Sequence, residues 1–255
     1  MNKPQRVVIT GASSGLGKAL AVEYARRGAS LALVARRDDL LESLAAALPV
    51  RAYTYAADVR SAAALAAAGK DILSRLGTPD VVIANAGVSA GTDTANPADN
   101  AVFEEILSVN VTGVMLTFQL FVDALRAARR GSLVGIASVA GFRGLPGASA
   151  YSASKAAMIS YLESLRLELR GSGVRVTTVC PGYIATPMTA GNPYPMPFLL
   201  DAQRAATKIA DAIARGSCFY VLPWQMAVVG WLLRRLPRPL YDIAFERAPR
   251  KPRQI

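Results

Sequence analysis

Apolar and polar positions fall in blocks along this chain. Short apolar runs, rich in β-branched residues, are each followed by a longer amphipathic stretch. "RVVIT" reads as a strand leading into the helix "GKALAVEYARR", which stops at Gly28. "LALVA" precedes a helix through "DDLLESLAAAL", "RAYTYAA" leads into "SAAALAAAGKDILSRL", and "DVVIANAG" leads into a long helical stretch from Ala101 to Arg129. "SLVGIAS" precedes a helix containing Tyr151, and "VRVTTVC" and "SCFYVLP" supply the last strands. The runs are apolar throughout rather than alternating, as expected of strands buried on both faces. Strand and helix repeated in this way predict right-handed βαβ units, hence an α/β fold: a doubly wound parallel sheet with helices on both faces.

No linker, charge block or low-complexity segment interrupts the pattern before residue 186, so one domain over 1–255 is expected. The composition changes in "ATPMTAGNPYPMPF", where Pro187, Pro193, Pro195 and Pro197 exclude a regular helix or a central strand. Residues 187–215 are therefore expected to form a substrate loop or lid. Residues 224–255 form an apolar and basic C-terminal extension. In the Tyr151 helix, Ala153, Ala157, Tyr161, Leu165 and Leu169 recur at helical spacing and are expected mostly to face the sheet.

Composition removes several chemistries. The chain has no histidine, which excludes a Ser-His-Asp triad and any histidine-ligated metal site, and no metal is expected. Cys180 and Cys218 lie far apart, so neither a disulfide framework nor a metal knuckle is expected, and a reducing cytoplasm is the simple expectation. "MNKPQRVVITGASSG" enters a strand within a few residues, leaving no room for a signal peptide. Net charge is +11, and residues 234–255 hold +5 of it. Such charge is most simply solvated, and no motif points to nucleic acid.

The first strand–helix junction, "ITGASSGLGKAL", carries Gly11, Gly15 and Gly17. Small residues there let the backbone and a helix N-terminus approach a pyrophosphate. The spacing is G-x-x-x-G-x-G rather than the G-x-G-x-x-G fingerprint, and glycines also serve ordinary tight turns. Its position in a βαβ chain points to a dinucleotide. The second strand ends "LVARRDD", with Arg36 and Arg37 where an NAD site usually has an acid. Arginine suits a 2′-phosphate, so NADP(H) is expected over NAD(H); the plain alternative is a solvated charge pair opening the next helix.

These pieces resemble the short-chain dehydrogenase/reductase family over about Arg6 to Met188. The matching motifs, in order, are "TGASSGLG" (Thr10–Gly17), "NAG" (Asn85–Gly87), Asn110, Ser138, "YSASK" (Tyr151–Lys155) and "PGYIATPM" (Pro181–Met188). The resemblance implies a Rossmann-type sheet and NAD(P)-dependent interconversion of a carbonyl and an alcohol. It makes Tyr151 the acid/base, with Ser138 bonding the substrate oxygen. Lys155 would bind the nicotinamide ribose and lower the tyrosine pKa, and Asn110 would complete a proton relay through water. For the cofactor it implies Gly11, Ser13, Ser14, Gly15, Leu16 and Gly17 in the loop, and Asp58 and Val59 near the adenine. Asn85, Ala86 and Gly87 would organise the cofactor edge of the sheet, with Pro181, Gly182, Ile184 and Thr186 towards the carboxamide. Members that prefer NADP often carry a basic residue at the place of Ser14, which leaves Arg36 and Arg37 as the cationic candidates. The family's helices commonly pair across two-fold axes, implying a homodimer or homotetramer.

The Tyr151–Lys155 pair also stands on its own chemistry. A phenol near its ordinary pKa of ~10 cycles poorly at neutrality. An ammonium one helical turn away, at i+4, favours the phenolate. Ser138 supplies a hydroxyl to fix and polarise a carbonyl. A tyrosine and a lysine can thus do a histidine's work; an isolated Y-x-x-x-K would otherwise read as a packed tyrosine and a solvated lysine. Trp224, Trp231, Leu232 and Leu233 beside Arg234 and Arg235 suit an interfacial membrane helix, a pocket lid or an oligomer contact. The expected substrate is a lipophilic ketone, aldehyde or alcohol; the competing function is a catalytically silent dinucleotide-binding sensor or scaffold.

Overall fold

The computed structural model describes residues 4–253; the ends of the expected 1–255 domain, residues 1–3 and 254–255, lie outside them. Seven strands build the main sheet: β1 (Arg6–Thr10), β2 (Ser30–Ala35), β3 (Ala52–Ala56), β4 (Val81–Ala84), β5 (Ser132–Ile136), β6 (Arg175–Pro181) and β9 (Phe219–Leu222). Their order is β3-β2-β1-β4-β5-β6-β9, parallel throughout. A two-residue pair, β7 (Ile184–Ala185) with β8 (Leu200–Asp201), lies apart from it.

The uniform apolarity of the strands has its reason in two separate cores. Val7 and Ile9 of β1, Leu31 and Leu33 of β2, and Val81 and Ile83 of β4 pack with α1 (Gly15–Arg26), α2 (Asp38–Ala47) and α9 (Ala202–Ala214). The alternate residues Val8, Ala32, Val34 and Val82 face α3 (Ala62–Arg75), α5 (Gly113–Gln119), α6 (Val122–Ala128) and α7 (Ser149–Glu168). These inner strands therefore spend both of their faces on burial, whereas the edge strands β3 and β9 are only partly buried.

Three elements depart from the sequence expectations. The stretch 101–129 is not one helix: α4 (Asn100–Leu107) widens into a π-turn at Ser108–Thr112 before α5, and the chain breaks again at Phe121 before α6. Residues 202–214 are not lid. They form α9, an amphipathic helix whose Ala205, Ala206, Ile209 and Ile213 are buried on the sheet and whose first turn is capped by Asp201, at 2.9 Å from the Gln203 amide. In α7 the expected stripe holds for Tyr161, Leu165 and Leu169, which pack into the second core, but not for Ala153 and Ala157, which are exposed; the buried side chains of the early turns are Ser152, Ser154, Lys155 and Met158.

α1 and α9 are joined through a buried carboxylate. Glu23 is 1% exposed and accepts from Arg26 (2.9 Å), Arg27 (2.7 Å), Thr207 (3.2 Å) and Gln203 (3.4 Å). Hydrogen bonding from Arg26 draws its pKa down, burial pushes it up, and Arg27 and Thr207 add to the lowering, leaving about 2. A depressed carboxyl contributes stability above its unfolded pKa, and that contribution fades as pH falls through the folded value. Glu23→Ala is expected to cost about 2 kcal/mol at neutral pH. Denaturant unfolding should show this deficit shrinking between the ordinary 4.5 and about 2. A deficit that stays constant down to that range contradicts the network's role.

Candidate active site

The carboxyl ends of β1, β4, β5 and β6 meet at one sheet edge, and a cleft of about 390 Å³ opens there. Its floor is a latch between β1 and β4. The Thr10 hydroxyl accepts from the amides of Asn85 (3.1 Å) and Ala86 (3.2 Å), while the Asn85 side-chain amide donates to the carbonyls of Thr10 (3.0 Å) and Gly11 (3.3 Å). Gly11 turns the chain at φ +66°, and a Cβ there would lie 2.8 Å from the Ala86 Cα. A Cβ on Gly17 would collide with the Gly11 carbonyl, so only glycine lets α1 begin this close to the loop. Ser14 precedes α1 in an extended conformation, and the first turn carries no acid, which leaves its amide end open to an anion.

Arg37, at the end of β2, crosses to this loop: its guanidinium donates to the hydroxyls of Ser13 (3.0 Å) and Ser14 (2.9 Å). Arg36 lines the same end of the cleft but leans towards Glu105, at 4.0 Å. Asp58 is engaged by Arg60 at 2.7 Å, and hydrogen bonding from that guanidinium holds its carboxyl below the usual range. The dinucleotide residues expected from the motifs, Gly11 to Gly17 without Ala12, Arg36, Arg37, Asp58, Val59, Asn85 to Gly87, Pro181, Gly182, Ile184 and Thr186, all line this one cleft.

At its other end stand Ser138, Tyr151 and Lys155. Lys155 is 4% exposed; its ammonium donates to the Ile136 carbonyl at 2.9 Å and lies 5.7 Å from the centroid of the Tyr151 ring. Burial brings the lysine down to about 8. Burial pushes the Tyr151 phenol up, and the Ser138 hydroxyl beside it pulls the other way. Ser138 also accepts from the Ala140 amide at 3.1 Å, which orients its hydroxyl at the strand end.

Asn110 does not line the cleft. It is fully buried in the π-turn, where its side chain accepts from the Val88 amide (2.9 Å) and donates to the Val88 carbonyl (3.0 Å) and the Ser154 hydroxyl (3.0 Å). It lies directly behind Gly87, where a Cβ would sit 3.3 Å from its oxygen and 3.6 Å from the Lys155 ammonium. Ser154, which sequence reasoning passed over, completes this joint by donating to the Tyr151 carbonyl at 2.7 Å.

The C-terminal extension folds back on the site. Met226 of α10 (Trp224–Arg235) packs against Gly182, and Arg143 donates to the carbonyls of Leu233 and Leu236, both at 2.7 Å. Tyr241 of α11 (Arg238–Phe245) donates to the Gly144 carbonyl. Beyond α11 the chain brings Lys251 to 5.6 Å from the Tyr151 ring centroid. No sequence signal connects Lys251 to Tyr151; only the tertiary course of the tail does.

Comparison with known proteins agrees with this geometry. The family model "short chain dehydrogenase" matches residues 5–194. The chain belongs to the short-chain dehydrogenase/reductase family. A Myxococcus xanthus protein described as an uncharacterized oxidoreductase is 41% identical over 243 residues, 94% of this chain and 96% of that one. Among solved structures, an alcohol dehydrogenase from Thermococcus sibiricus complexed with 5-hydroxy-NADP superposes with a TM-score of 0.76 at 27% identity, covering 86% of this chain and 95% of that one. A 3-ketoacyl-(acyl-carrier-protein) reductase from Brucella melitensis complexed with NADH gives 0.78 at 25% identity, covering 85% and 95%. This short-chain dehydrogenase/reductase is thus an oxidoreductase of a family that uses NAD(P)(H), and the cradle formed by Gly11, Gly17 and the open end of α1 fits a dinucleotide.

Proposed function

We propose that the protein is an NADP(H)-dependent oxidoreductase that interconverts a ketone or aldehyde with an alcohol, using Tyr151 as acid and base. The observation that carries this reading is the convergence of Tyr151, Ser138 and Lys155 on the cleft that also holds the glycine loop. When bound, the nicotinamide cofactor supplies or accepts a hydride. In reduction the carbonyl carbon gains that hydride and the carbonyl oxygen requires a proton. Tyr151 donates it: the phenolic O–H bond breaks, the alcohol O–H forms, and the phenolate retains the electron pair. Ser138 donates to the carbonyl oxygen, holding and polarising it. Lys155 stabilises the phenolate from one helical turn away and, at about 8, is still largely cationic at neutral pH. Oxidation of the alcohol reverses these steps.

Asn110 serves this reading as a positioning residue, because its side chain is committed to Val88 and Ser154. The preference for the 2′-phosphate is supported by Arg37. The cation that Ser14 does not provide reaches the loop from the end of β2 instead, held by the Ser13 and Ser14 hydroxyls. Retention of both Tyr151 and Lys155 in the cleft weighs against a silent sensor or scaffold.

A lipophilic substrate is supported by the segment 187–201. It sets Pro187 and Met188 on the cleft and stands Tyr194 against Tyr183, ring centroids 6.4 Å apart, which suits a lid. Assembly into a homodimer or homotetramer through α4, α5 and α7 is supported by the exposed Phe103, Met115 and Leu167 on those helices. The second reading concerns location: a cytoplasmic enzyme held at the membrane surface. Trp224 (72% exposed), Trp231, Leu232, Leu240 and Ile243 form an uncovered apolar face on α10 and α11. The Arg235 guanidinium lies 4.3 Å above the Trp231 ring beside it, an arrangement suited to anionic lipid.

Tyr151→Phe is expected to lower kcat about a thousandfold while cofactor affinity stays near wild type; full turnover in that variant sinks the mechanism. Arg37→Ala should weaken NADPH about tenfold more than NADH, with a smaller effect for Arg36→Ala. Equal losses for the two cofactors would remove the 2′-phosphate role. The protein should co-sediment with anionic vesicles and lose this on Trp231→Ala with Ile243→Ala. A protein that stays in the supernatant throughout ends the membrane reading.

A further inference from the structure

The C-terminal tail is tied down where it crosses the site. The Gly91 amide donates to the Pro252 carbonyl at 2.6 Å, and Arg253 pairs with Asp99 at 2.6 Å. The Arg250 side chain covers Gly147. Gly91 lies in the connection from β4 to α4, and Gly147 in the connection from β5 to α7. The two connections are themselves joined by the Thr92 amide and the Gly147 carbonyl at 3.2 Å, and by the hydroxyls of Thr92 and Ser149 at 2.9 Å. A side chain on Gly91 would collide with the Lys251 carbonyl, so the tail passes at backbone contact.

This course puts a second lysine side chain over the Tyr151 ring, and burial lowers its pKa from the ordinary value. Lys251 stands 5.6 Å from the ring centroid, and Lys155 stands 5.7 Å from it. The other titratable groups facing the phenol are neutral near pH 7: the Cys180 thiol, pushed up to about 12 by burial, and Tyr194, raised by burial. Around the tail, Asp99 is taken by Arg253 and the Asp93 amide, the Asp93 carboxylate also acts on Arg253, and the described residues after α11 carry Glu246, Arg247, Arg250 and Arg253 besides Lys251. Among the described residues, Lys251 has no carboxylate partner. A partly buried cation without a counter-ion favours any negative charge that forms beside it. Here that charge is the phenolate.

We propose that the tail of this chain completes the active site, with Lys251 as a positioning residue that stabilises the Tyr151 phenolate together with Lys155. The inference rests on the reading of Tyr151 as acid and base. It makes the phenol's acidity depend on a segment remote in sequence, which only the closed tail brings into place.

The test needs no substrate. The NADP⁺-bound protein is titrated with base while phenolate absorbance is followed, and the curve of Tyr151→Phe is subtracted to isolate Tyr151. Lys251→Met should raise the half-ionisation pH of Tyr151 by about one unit. Lys251→Arg, which keeps the charge, should stay near wild type. Arg253→Ala, which loosens the tail and lets an unchanged Lys251 side chain leave Tyr151, should move the half-point in the same direction as Lys251→Met. A depressed Tyr151 half-point that neither Lys251→Met nor Arg253→Ala moves overturns the proposal and leaves the acid/base reading standing. A wild-type difference curve with no tyrosine titrating below the ordinary value of ~10 overturns both.

Discussion

The latch between β1 and β4 is the constraint on which the site depends. At this point of the sheet the strand order reverses, so the connections leaving β1 and β4 go to opposite faces and a crevice is left between them. Thr10 and Asn85 hold the two strand ends in register across the crevice through four hydrogen bonds. Gly11 and Gly17 then bring the loop and the start of α1 within backbone contact of that latch. The dinucleotide cradle, the reach of Arg37 and the distance from the glycine loop to Tyr151 all follow from this close approach. A side chain at either glycine would push the helix end away from its anion.

A chain without histidine must obtain its proton chemistry by tuning weaker tools. Burial works on both partners here and in opposite senses, raising the phenol and lowering the ammonium. Burial thus favours the neutral form of each group. The Ile136 carbonyl aims the Lys155 side chain, and Ser154 and Asn110 lock the helix turn that carries it. On the proposed mechanism, the polar residues buried in α7 serve the site rather than being faults in a core.

Much of the architecture was legible because two-sided burial leaves a plain mark: strands such as Val7–Ile9 and Val81–Ile83 are apolar at every position. The cleft was legible because glycines, "NAG" and Y-x-x-x-K each carry a local chemical requirement. The rule of apolar stripes held for Tyr161, Leu165 and Leu169 but failed on the first turns of α7, where Ala153 and Ala157 are exposed while Ser154 and Lys155 are buried. There the site needs polar groups inside, which reverses the usual pattern. The break at Ser108–Thr112 had no signal in periodicity, since a π-turn adds a residue to a helix without changing its composition. Proline content suggested a lid as far as residue 215, but the alanine-rich run from Ala202 had an apolar face to bury and became α9. Lys251 was illegible for a different reason, because its meaning comes from where the tail lies rather than from its neighbours.

The most direct test of the account is a parallel titration of the purified protein with NADPH and with NADH, following nicotinamide fluorescence. The account predicts saturable binding of both, with NADPH the tighter by about tenfold or more. Binding of neither cofactor would contradict the assignment of the cleft, whatever Tyr151 and Lys155 suggest.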